Sequence, residues 1–89
     1  MNKYYFTFGC DSPNKGRCQV IEASSELYAR AKMFDMYGRK FCTSYSEDIW
    51  NKMKNDKNRL YPLETELPGV IVVSDEEAQM LIDNEVFDK

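Results

Sequence analysis

Two β-forming runs on either side of a turn-rich loop constrain this chain more than any other feature. Residues 3–9, Lys-Tyr-Tyr-Phe-Thr-Phe-Gly, alternate so that Tyr4, Phe6 and Phe8 share one face while Tyr5 and Thr7 share the other. Residues 17–23, with Cys18, Val20 and Ile21, read as the returning strand. The loop between them is Asp11-Ser12-Pro13-Asn14-Lys15-Gly16. Pro13 fixes φ there, and Asn14 and Gly16 tolerate left-handed geometry. The expected unit is a hairpin with a long exposed tip.

Beyond the hairpin the chain is punctuated by caps. Ser24 or Ser25 can start a helix over about residues 25–37, and Gly38 is placed to end it. Leu27, Ala31 and Phe34 recur at helical spacing and are expected to face the sheet. Met33 and Met36 then lie toward the other side, as the edge of a wide apolar face or as adaptable contact residues. Residues 39–45 alternate Phe41, Thr43 and Tyr45 with Cys42 and Ser44, a third strand. Ser46 can cap a short second helix, with Glu47 and Asp48 in its first turn and Ile49, Trp50 and Met53 on its apolar side.

Residues 60–63 are expected to be extended, since Pro62 disfavours helix at Tyr61. Pro68-Gly69 signals a turn. Val70 to Val73, apolar on both faces, reads as a strand that is central or covered. Ser74 and Glu77, three apart, form a capping box for a last helix through Ala78, Leu81 and Ile82 to about Glu85. The order β-β-α-β-α-extended-β-α predicts an α+β fold. It is a small three- to four-stranded, mainly antiparallel sheet with two or three helices packed on one face. Residues 1–89 are expected to form one compact domain, because 89 residues suffice for one modest core.

The residue inventory argues against catalysis. The chain has no His, so acid–base work would fall to tuned carboxylates. Gly9 and Gly16 flank a hairpin loop and do not open a helix, so they make no phosphate loop. Three cysteines without His fit no common zinc knuckle. Free thiols are expected, with a Cys10–Cys18 bridge as the alternative. No enzyme activity, cofactor or metal is expected. No apolar run is long enough for a membrane span or a signal peptide, which points to the cytoplasm.

Charge is divided along the chain. Residues 1–59 hold 11 basic and 7 acidic side chains, whereas residues 60–89 hold 1 basic and 8 acidic, for an overall −3. Such a split gives the surface a dipole that steers charged partners. Glu64, Glu66, Glu76 and Glu77 are the candidate acidic interaction face, imitating backbone phosphates against a basic groove. Met33, Met36 and Tyr61 are the candidate apolar contacts that would supply affinity inside a charged rim. Arg17, Lys52 and Lys54 are the candidate basic face of an alternative, in which the protein binds nucleic acid directly.

Three parts of the sequence together resemble small proteins of phages and prophages of Gram-positive bacteria. They are the opening Tyr4-Tyr5-Phe6-Thr7-Phe8-Gly9, then Val20-Ile21-Glu22-Ala23, and the helix with Ala29-Arg30 and Met33-Phe34. The aromatic third strand and the Trp50 helix, entered through Ser46-Glu47-Asp48, extend the likeness, which spans about residues 3–53. The resemblance carries no catalytic residue. It implies a non-enzymatic accessory protein acting in the host cytoplasm on a host protein or protein–nucleic-acid complex. Its sharpest form is an anti-defence inhibitor that occludes a host nuclease or CRISPR-type complex. The alternatives are a small nucleic-acid-binding regulator and a phage structural or assembly component.

Overall fold

The computed structural model describes residues 1–9, 12–58 and 63–88. Strand β1 (Asn2–Phe8) and strand β2 (Arg17–Ala23) form the expected antiparallel hairpin, with Tyr4 opposite Ile21 and Phe6 opposite Gln19. Strand β3 (Phe41–Ser46) pairs antiparallel with the other edge of β1. Phe6 faces Ser44 but Phe8 faces Phe41, so Cys42 and Thr43 together oppose the single residue Thr7. This is a β-bulge.

Beyond β2 the chain adds two short strands in parallel, β4 (Thr65–Glu66) beside Arg17–Cys18 and β5 (Ile71–Val72) beside Ile21–Glu22. The spatial order is β3-β1-β2 with β4 and β5 sharing the last position. The α+β sheet is therefore mixed, with its long strands antiparallel. Residues 67–70, which include Pro68-Gly69, lie opposite only Gln19 and Val20, and Gly69 takes φ 82°. Glycine adopts that left-handed geometry without a Cβ clash.

The expected strand at Val70–Val73 thus shrinks to two residues at an edge. Val72 is 57 % exposed, and only Val73 is fully buried, with Ile71 half-buried against the core. The last position beside β2 leaves this segment one neighbour, so an apolar run here is not a central strand.

Helix α1 (Glu26–Tyr37) begins where the Ser25 hydroxyl accepts the Tyr28 N–H at 3.3 Å. It ends where the Gly38 N–H reaches the Phe34 carbonyl at 2.9 Å, with Gly38 at φ 63°. Helix α2 (Glu47–Asn55) is capped by Ser46 and helix α3 (Asp75–Asp83) by Ser74. A 3₁₀ turn over Val86–Asp88 follows α3.

Because β1 and β2 are apolar on both sides, the sheet needs cover on both. Phe6, Phe8, Ile21 and Ala23 pack against Ala29 and Met33 of α1 and Ala78 of α3. Tyr5, Cys18 and Val20 pack on the opposite side against Trp50 of α2. The Tyr5 and Trp50 rings stack with centroids 4.8 Å apart and planes within 5°. Two helices thus share one face as expected, while α2 covers the other.

Two expectations about α1 are corrected. Leu27 does not face the sheet; it is 53 % exposed. Met33 is no surface contact; it is fully buried in the sheet-facing core. The reason is that α1 is covered on two sides. Ala29 and Met33 meet the sheet, whereas Ala31 meets Leu81 and Val86 of the α3 layer. A helix with two apolar sides has no single stripe for the 3.6-residue period to reveal.

Candidate functional site

The charge split of the sequence is carried into the fold only in part: acidic helix α3 and the basic last turn of α2 lie on opposite sides of the sheet, while other charges mix. Helix α3 rests chiefly on α1, pinned by the buried Ala78 and Leu81. At about 100° per residue, Met80 then points away from the core; it is 54 % exposed. No residue of α3 is basic, and its first turn is Asp75, Glu76 and Glu77. These carboxylates suit the positive end of the helix dipole. Helix α2, with Lys52 and Lys54 in its last turn, lies on the other side of the sheet.

Around Met80 is a shallow cleft of about 540 Å³ whose walls include Tyr28, Asp75, Glu76, Gln79 and Asp83. Hydrogen bonds in two separate groups hold Asp75 and, through Tyr28 and Gln79, Asp83. The Ser24 hydroxyl donates to Asp75 at 2.6 Å, the Tyr28 hydroxyl to Gln79 at 3.1 Å, and the Gln79 amide to Asp83 at 3.0 Å. Anchored carboxylates lose less side-chain entropy when a partner docks. An apolar centre inside a polar rim is the usual anatomy of a protein-binding patch.

The four acidic residues expected to share one face do not. Glu76 lines the Met80 cleft. Glu77 sits beside it but accepts from the Lys32 ammonium at 2.7 Å, an interaction that raises the Lys32 pKa. Its N–H also donates to the Ser74 cap at 3.1 Å. Glu66 is in register with Cys18, whose side chain belongs to the α2 side of the sheet. Burial first, then the negative charges of Glu66 and Glu64, push the Cys18 thiol up to about 12. Burial and Glu66 likewise raise Tyr5. Glu64 and Glu66 therefore act on the opposite layer from Glu76 and Glu77.

The other candidates disperse as well. Met36 is 37 % exposed on α1, and Tyr61 lies outside the described residues. Arg17 alternates with Cys18 along β2 and so stands on the α1 side, away from Lys52 and Lys54 on α2. Cys10 lies outside the described residues, and Cys18 is a free, buried thiol. Residues that sequence reasoning passed over are Met80, Tyr28 and Gln79. One signal was available: Met80 interrupts the Ala78, Leu81 and Ile82 stripe and falls on the acidic side of the helix.

A second cleft, of about 430 Å³, lies between Gly9, Ser12 and Pro13 of the hairpin loop and Arg39, Lys40 and Phe41 at the start of β3. Among the described residues no three His, Cys, Asp or Glu side chains gather to hold a metal ion. Nor is any described helix long and apolar enough to cross a membrane. Compared with protein-family models, curated proteins and solved structures, the chain matches none.

Proposed function

We propose that this protein is a non-enzymatic, phage-type accessory protein that binds a basic site on a host protein or protein–nucleic-acid complex. In its sharpest form it inhibits a host nuclease or defence complex by occlusion. The observation that carries this reading is the outer face of α3, where exposed Met80 is ringed by Asp75, Glu76 and Asp83 on a helix with no basic residue. Carboxylates held at fixed spacing offer the charge pattern of a nucleic-acid backbone. A basic groove that normally holds phosphates would accept them. Met80 would supply the apolar contact, and the acidic rim would speed encounter and set specificity. The mechanism is competition for a surface and involves no turnover.

The test is capture of partners from nuclease-treated Gram-positive host lysate by the tagged protein, beside two variants. One is Glu76→Lys with Asp83→Lys; the other is Met80→Ala. The wild type should retain a defined protein complex and suppress its nuclease activity. Charge reversal should slow association and make it less salt-dependent, and Met80→Ala should raise the dissociation rate about tenfold or more. Equal retention by all three proteins would remove this face from the mechanism. Recovery of nucleic acid alone, lost on nuclease treatment, would favour the nucleic-acid-binding regulator instead.

A further inference from the structure

The two edges of the sheet are unlike. On the β2 side the edge is broken, because Pro68-Gly69 separates β4 from β5. On the other side β3 runs for six residues, Phe-Cys-Thr-Ser-Tyr-Ser, with no charge and no proline, and no described strand pairs with its outer edge. Charges and prolines are the usual guards of an exposed edge.

The direction of its backbone groups follows from hydrogen bonds at the far side of the sheet. The carbonyls of Cys18 and Glu22 accept from Leu67 at 2.8 Å and Val73 at 2.9 Å, so both residues turn their backbone toward β4 and β5. In a strand the N–H and C=O of one residue point the same way, and successive residues alternate. Thr7 and Lys3, opposite Cys18 and Glu22, therefore turn toward β3, and so does Tyr5. On β3 their counterparts, the Cys42–Thr43 bulge and Tyr45, turn inward. Phe41 and Ser44, opposite Phe8 and Phe6, present their N–H and C=O groups outward, and Ser46, opposite Tyr4, presents its N–H, since its carbonyl starts helix α2 as the N-cap.

We propose that this edge is a self-recognition surface, on which a second copy of the chain docks β3 to β3 antiparallel about a twofold axis at Ser44. The bulge makes the pattern self-complementary. Counted as one position, it puts Ser44 at the middle of β3. Ser44 then faces Ser44 of the partner subunit, and Phe41 faces Ser46 of the partner subunit. These pairs join outward-turned residues, while Tyr45 faces the inward-turned bulge, and with the Ser46 carbonyl committed to α2 the contact gives about four backbone hydrogen bonds.

The flanks complement as well. Arg39-Lys40 precede the strand and Glu47-Asp48 follow it, all exposed. In the same register Lys40 meets Glu47 of the partner subunit, the first residue past the strand, with Arg39 beside Lys40 in the turn before β3. By symmetry the pairing occurs twice. Arg39 spends one N–H on the Phe87 carbonyl at 3.3 Å, and a guanidinium has five. The Ser44 hydroxyl does not obstruct the edge, because it donates sideways to Glu26 of α1 at 2.8 Å. The acidic face of α3 stays outside this contact, so self-association and the proposed capture of a basic partner are separable.

The contact is small and its ion pairs are exposed, which sets it at the weak, salt-sensitive end of specific association. Sedimentation velocity at low salt, up to about 1 mM protein, covers that range. The mass should rise from 10.5 kDa toward twice that value. Lys40→Glu and Glu47→Lys should each stay monomeric where the wild type is half dimeric. An equimolar mixture of the two should dimerise again, because each unlike pair then brings opposite charges together. Ser44→Pro removes an outward N–H that bonds nothing in β1, and it should also abolish the dimer while circular dichroism reports a folded chain. A wild type that stays monomeric throughout overturns the proposal. So does a dimer indifferent to all three variants, or a charge-swap mixture that remains monomeric.

Discussion

Replacing Met33 by alanine separates this fold from one in which the same side chain lies on the surface. Met33 is fully buried among Phe6, Phe8, Ile21 and Ala29, whereas Met36, on the same helix, is 37 % exposed. Truncation to alanine removes apolar surface worth about 2 kcal/mol of transfer free energy. A residual cavity of about 50 Å³, at about 24 cal/mol per Å³, adds about 1.2 kcal/mol. The sum, about 3 kcal/mol, sits within the range of about 2–5 kcal/mol typical of such core truncations. For a domain of this size each kcal/mol lowers Tm by about 4–8 °C, so a fall of about 12–24 °C is expected. Met36→Ala should change stability by less than about 0.5 kcal/mol. Urea titrations followed by circular dichroism measure both, and an unchanged slope with denaturant shows that the midpoint shift reports stability alone. Equal effects of the two substitutions would refute the placement of α1 against the sheet.

Glu85 holds φ 60° just after α3, a left-handed geometry that costs a residue with a Cβ about 1–2 kcal/mol. Glu85→Gly should raise stability by about 0.5–1 kcal/mol once glycine's own entropy cost is deducted, read as a higher urea midpoint, and a lower midpoint would contradict that geometry. The Glu26 carboxyl is held below its usual 4.5 by the Ser44 hydroxyl first and by Arg30 next. Its contribution to stability is full above pH 4.5 and lost as the pH falls through the depressed folded value. Glu26→Gln should flatten the stability profile below pH 4.5, and an unaltered slope would sink this assignment. Alkylation near pH 8, read by peptide mapping, should modify exposed Cys42 at once but Cys18 only as the fold opens. Rapid modification of Cys18 in the native protein would show that its thiol is not enclosed.

The candidate site was less legible than the elements that carry it. Glu76 was identifiable because it is acidic and lies in a helix start. That Glu77, next to it, is engaged by Lys32 depends on how α3 rests on α1, and no spacing rule encodes that contact. Glu64 and Glu66 looked equivalent to the α3 carboxylates because they are near in sequence. Pairing of β4 with β2 sends them to the other layer. Met80 looks like one more apolar residue of a short helix until Ala78 and Leu81 define the buried side.

Alone, the sequence determined the local elements. Ser25, Ser46 and Ser74 start the three helices, Gly38 ends the first, and Pro68-Gly69 interrupts the last edge of the sheet. Each of these acts on backbone groups a few residues away, so composition and spacing suffice. Only the tertiary structure decided which surface each element covers. Both sides of β1 and β2 are apolar, and alternation by twos marks two faces without saying what lies on either. Placing α2 opposite α1, and β4 and β5 along β2, takes contacts between residues far apart in the chain. Those contacts are selected by the burial of the whole core at once, and no local preference contains them.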